Sequence, residues 1–201
     1  MKAIKYFALY ISTVSIFFSC KPKDQAKHSL SGSTKEYFDI KNQSKYYFTE
    51  ISDTNTTIVY TSKNYVNSQA NPDIENSEIL VYDLDAGAGY PVFTVRCESG
   101  GSEFKDRIAL LANIDGTLNI GAVVFNQNGN FSTTNSVGDS AFLYPTYTIN
   151  GKIFNDVIKV KLHSSNPLYS EIFYAKHIGL IGRKEKKDNK FFYVKRYQIN
   201  Q

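Results

Sequence analysis

Three Asx-Gly pairs, Asp115-Gly116, Asn128-Gly129 and Asn150-Gly151, punctuate the second half of this 201-residue chain, each between short runs rich in Val, Ile, Thr, Tyr and Phe. Such pairs suit the positive φ angles of tight two-residue hairpins. A link that short makes the strands it joins run antiparallel. Runs that read as strands occupy 36–40, 46–51, 57–65, 79–84, 90–98, 107–113, 118–125, 142–149, 153–163, 171–181 and 191–199. The run RIALLAN at 107–113 also suits a short helix. Ten or eleven successive antiparallel strands must curl, split or close, and no propeller-type or solenoid-type repeat is present. The expectation is an all-β fold with at most one or two short helices. Its architecture would be a single strongly curved antiparallel sheet, a half-barrel or barrel, over residues 36–201.

Composition agrees. The chain holds 15 Tyr and 14 Phe but no Trp, and this aromatic and β-branched vocabulary belongs to strands. Long amphipathic helical stripes are missing. The formal charge is +4, and Lys2 and Lys5 lie in an N-terminal segment that reads as removable, which leaves +2. A nearly balanced chain carries no nucleic-acid argument. No HExxH, GxSxG or P-loop pattern occurs, so the chain reads as non-enzymatic and without a cofactor.

The first residues carry a different message. Met1, Lys2 and Lys5 precede an uncharged, mostly apolar run from Tyr6 to Phe18, then Ser19 and Cys20. The run ends at Lys21-Pro22-Lys23-Asp24, short of the ~20 apolar residues that span a bilayer. It reads as a secretion signal over 1–19. Phe17-Phe18-Ser19-Cys20 resembles the lipobox of bacterial lipoproteins, in an aromatic-rich form familiar among Bacteroidota. That resemblance implies a diacylglycerol-modified and N-acylated Cys20. Two or more acyl chains make membrane attachment effectively permanent. By analogy with Gram-negative sorting, Lys21 implies transport to the outer membrane, with the periplasmic and external faces both open. Residues 20–35, polar and without period, read as a lipidated cysteine and flexible tether.

The C-terminal half is similar to the closing pattern of a broad set of Bacteroidota lipoproteins of unknown function. The matching residues are Gly151, Phe154, Val157, Ile158, Tyr174, Ala175, Lys176, Gly179 and Leu180. At the domain opening, Asp39, Ser44 and Tyr47 stand where that set tends to have Pro, Gly and Trp. The resemblance implies the curved-sheet fold of lipoprotein carriers and receptors, with an apolar concave side. The functional expectation is a membrane-anchored envelope protein that binds a protein partner or envelope component. The alternatives are a carrier or receptor for lipid or another apolar ligand, and an enzyme with an unrecognised site.

Other candidate residues are read against plainer roles. Cys97 alternates in phase with Phe93 and Val95, which places it on an apolar face as a structural thiol. Asp83, Asp85 and Gly87 in YDLDAGAGY invite a calcium loop, but Thr94 stands where an EF-hand needs Glu, so the reading is a turn and no metal site. His28 lies in the tether, while His163 and His177 come from neighbouring expected strands and could meet across them. The basic run from Arg183 to Lys190 reads as a solvated hairpin tip, or a contact for phosphates or an acidic partner. Alternation puts Phe191, Tyr193, Tyr197 and Ile199 on one face of the last strand, with Phe173 or Tyr174 beside them, as filling for an interior with a shallow trough at one end.

Overall fold

The computed structural model describes residues 28–38, 40–66, 77–100, 105–114, 117–127, 129–133, 139–163 and 168–200. The signal at 1–19, Cys20, Asp39, Asp115-Gly116 and Asn128 lie outside the described residues. One short helix, α1 (Gly32–Phe38), precedes strands β1 (Lys45–Glu50), β2 (Thr57–Val66), β3 (Ile79–Asp85), β4 (Val92–Glu98), β5 (Asp106–Ile114) and β6 (Thr117–Gln127). There follow β7 (Asn130–Thr133), β8 (Ser140–Ile149), β9 (Lys152–Lys161), β10 (Tyr169–Ala175), β11 (Gly179–Glu185) and β12 (Phe191–Gln198).

All strands belong to one twelve-stranded antiparallel sheet, ordered β7-β6-β5-β4-β3-β2-β1-β12-β11-β10-β9-β8. The first and last strands therefore meet in its middle, where β1 pairs with β12 from Lys45 opposite Gln198 to Glu50 opposite Phe192. The sheet curls until its edges β7 and β8 lie side by side, and the Thr133 hydroxyl donates to the Asp139 carbonyl across the seam at 2.6 Å. The result is a nearly closed barrel, as the strand count requires. The ambiguous run 107–113 is strand β5, because Ile108, Leu110 and Ala112 alternate into the interior. The short strand β7 was not legible beforehand.

Of the first expected strand, 36–40, residues 36–38 are instead the end of α1, and part of the expected tether is folded with it. Ser31 caps the helix: its carbonyl and hydroxyl both accept the Thr34 N–H. Leu30, Tyr37 and Phe38 enter the core, so the helix lies over one end of the barrel as a plug. Asp106 holds it there. One carboxylate oxygen accepts the Ser31 N–H at 2.9 Å, the Ser31 hydroxyl at 2.6 Å and the buried Thr34 hydroxyl at 2.6 Å. Asn126 donates to Ser33 and Thr34, each at 2.8 Å. Polar residues composed this segment, and buried partners on β5 and β6 are what satisfy them.

The interior is aromatic. Tyr46, Phe48, Tyr60, Phe93, Tyr174 and Phe38 are among its largest fully buried side chains, with ring pairs Phe48–Tyr60, Tyr60–Phe93 and Phe38–Tyr174 at 5.0 to 5.6 Å. Cys97 is fully buried among them, as its alternation indicated. At Gly179 the chain needs φ of +90°, and a Cβ there would sit 2.6 Å from Ile40, so glycine lets the β10–β11 turn close on the plug.

Removing the Asp106 carboxylate orphans buried donors. Asp106→Ala is expected to lower unfolding free energy by about 2–3 kcal/mol, with Asp106→Asn losing less, as chemical denaturation can check.

Candidate functional site

Two places on the barrel carry features that packing of a single core does not require. The first is the β8–β9 hairpin. Its turn, Asn150 and Gly151, has φ of +47° and +77°, the backbone that the Asn-Gly pair favours. Asp156 in β9 also has φ of +47°, and pairing of β9 with β10 stops at Val157 opposite Ala175. Beyond that point the hairpin leaves β10 and lies across the outer face of the sheet. The Asn150 side chain reaches the Tyr193 hydroxyl, and the Lys152 ammonium reaches the Lys195 carbonyl. A second apolar cluster fills the space beneath, from Ile149, Phe154, Val157, Phe173, Ala175, Ile181 and Tyr193.

This overlay explains why the adjacent aromatics of β10 are both buried. Tyr174 faces the interior against Phe38, while Phe173 faces outward against Tyr147 and Phe191. Lys152 sits 4.7 Å from the Tyr197 ring centre and 5.1 Å from that of Phe154, and burial pulls its pKa below the usual value. A hollow of about 320 Å³ opens beside it, lined by Phe154, Asp156, Lys176, His177 and Tyr197. The hairpin also exposes apolar surface. Phe142, Leu143 and Ile153 are 47%, 50% and 67% exposed. Phe142 pairs with Lys159 and Leu143 with Ile158, so edge strand β8 is accessible on both faces.

The second place is inside the barrel, at the end away from α1. Arg183, read on sequence as part of the solvated basic tip, is only 2% exposed. Its guanidinium carbon lies 5.3, 5.7, 4.8 and 4.7 Å from the ring centres of Phe48, Tyr60, Phe93 and Phe192. A one-residue bulge puts it there. Tyr174 pairs with Leu180 but Phe173 pairs with Gly182, so Ile181 is the extra residue and every side chain after it changes face. Strict alternation from inward Leu180 would have turned Arg183 to solvent. The Glu185 carboxylate lies 3.4 Å from its Nε. Burial raises the Tyr60 pKa, with the Arg183 charge pulling against it.

A second register shift, between Tyr47 and Phe48 opposite β12, divides the residues expected on one face of the last strand. Phe191 packs against outward Phe173, whereas Tyr197 pairs with Tyr46. The other expected sites are dispersed. His163 follows β9 and His177 follows β10, at opposite ends of that antiparallel pair, so they do not meet. His28 is not in a free tether, since it bridges Ser77. Asp85 accepts the Gly87 N–H at 2.8 Å, which makes the turn expected of this stretch, and Asp83 accepts the Thr94 hydroxyl. Among the described residues no three His, Cys, Asp or Glu side chains come together as a metal site.

Burial holds the phenols of Tyr46, Tyr82, Tyr169 and Tyr174 well above their usual value, and that of Tyr37 is pushed to about 12 by burial, with Asp156 and Glu36 adding to it. Each ionises more readily in the unfolded chain. Their contribution to stability is thus full below pH ~10 and is lost as pH rises through the folded values. Phenolate absorbance during alkaline titration is expected to appear in a late cooperative step that coincides with loss of β-sheet circular dichroism. Compared with known proteins, the chain matches no family model, no curated protein and no solved structure.

Proposed function

We propose that this chain is a non-enzymatic lipoprotein, anchored in the outer membrane through acylated Cys20, whose barrel wall binds a protein partner or another envelope component. The anchor rests on the lipobox-like Phe17-Phe18-Ser19-Cys20 and the signal pattern before it. The binding role rests on one observation above the others: half of the six large exposed hydrophobics among the described residues, Phe142, Leu143 and Ile153, belong to the β8–β9 hairpin. That hairpin borders the seam, where a strand edge is the ordinary site for adding another chain. The aromatic filling of the interior supports a wall site over a lipid-filled cavity.

A carrier for an apolar acid is the second reading, favoured by the buried Arg183 in its ring of aromatics. A capacious lipid cavity is the less supported form of it.

Photo-crosslinking side chains placed at Leu143 and at Ile153 in living cells are expected to trap the same discrete envelope protein, whereas one at exposed Ile51 traps none. Equal, diffuse adducts from all three positions would sink the wall site. Separately, Cys20→Ala is expected to leave an unprocessed precursor that no longer partitions into the detergent phase. Normal processing and membrane retention of that variant would remove the anchor.

A further inference from the structure

A guanidinium withdrawn from water needs anions or ring faces around it, because desolvation otherwise outweighs what burial returns. Arg183 has four ring faces but only a partial anion. The Glu185 contact of 3.4 Å is longer than the ~2.8 Å of a strong charge-assisted bond. Arg183 Nη1 is buried and has no hydrogen-bond partner, and the Tyr60 hydroxyl in the same aromatic ring is buried with no partner of its own. The guanidinium and the Tyr60 hydroxyl thus face each other inside an apolar wall, and neither Nη1 nor the hydroxyl has a well-formed hydrogen bond. Native interiors seldom leave such groups unpaired. The bulge at Ile181 aims Arg183 inward at a cost in ladder regularity, and bulges of this kind commonly re-aim functional side chains.

We propose that this end of the barrel binds a small monocarboxylate with a short apolar body. The carboxylate accepts from Arg183 Nη1 and from the Tyr60 hydroxyl, and the apolar body lies against Phe93 and Phe192. Glu185, with its side chain 29% exposed, is the group the ligand replaces at the guanidinium. It can turn to solvent when the ligand enters, so Arg183 exchanges one carboxylate for another. A single guanidinium and one phenol match a monoanion. A phosphate dianion would meet Glu185 with fewer donors than its charge requires. Tyr90, 45% exposed on the β3–β4 link, is close enough to act electrostatically on Tyr60 and is the nearest exposed aromatic from which a ligand would enter. The site depends neither on the Cys20 anchor nor on the β8–β9 wall.

Titration calorimetry of the full mature chain with hexanoate tests it, with hexanol and inorganic phosphate as controls. Hexanoate is expected to bind saturably. Glu185→Gln, which removes the internal competitor, is expected to tighten binding about 10-fold. Tyr60→Phe should weaken it severalfold, and Arg183→Met should abolish it while keeping the melting temperature. Unchanged binding in Arg183→Met would overturn the proposal, as would the absence of hexanoate binding in both the native chain and Glu185→Gln. Equal binding of hexanol would reduce the site to an apolar crevice, and displacement by phosphate at equal concentration would make it a general anion site. If Arg183→Met does not fold, Glu185→Gln decides, because failure to tighten removes the exchange.

Discussion

The β1–β12 ladder is the interaction on which the rest of the structure depends. Without it the chain would be two separate meanders, β1 to β7 and β8 to β12, each with long unpaired edges. With it, strands from opposite ends of the sequence become neighbours, and the inner faces of both meanders close over one aromatic core. Such pairing carries a large loop-closure entropy, which only burial of the whole interior offsets. The plug α1 adds to the same closure, since Glu36 accepts the His177 N–H through its carbonyl and the Lys176 ammonium through its side chain.

On this frame, local irregularities place the residues of interest. The bulge at Ile181 turns Arg183 inward, positive φ at Asp156 releases the hairpin across the outer face, and the shift at Tyr47–Phe48 splits the aromatics of β12. Side chains in a strand alternate with a period of two, so one inserted residue reverses everything beyond it. The barrel therefore has two apolar layers over part of its wall, one inside and one between sheet and hairpin. The abundance of Tyr and Phe serves both layers, which leaves less aromatic content for a ligand cavity than a count alone would imply.

Much of this was legible beforehand. The all-β class, the antiparallel succession, the curled sheet and the inward Cys97 followed from strand vocabulary, Asx-Gly turns and period-two alternation. The plug was missed because Ser31 to Lys35 read as solvated until Asp106 and Asn126 are seen beneath them, while Glu36, Tyr37 and Phe38 read as the start of a strand. Arg183 was missed because it opens a run of lysines and acids whose remainder is exposed or half-exposed.

Sequence by itself determined what each short segment prefers, since turn chemistry and alternation are local properties of adjacent residues. Those preferences were enough to require a curved antiparallel sheet. Tertiary structure alone decided which ends of the chain pair, where the ladder slips by one residue, and hence which charged group enters the core. These outcomes depend on contacts between residues far apart in sequence, as in Arg183 beside Phe48, Tyr60 and Phe93, and no local pattern encodes the balance among them.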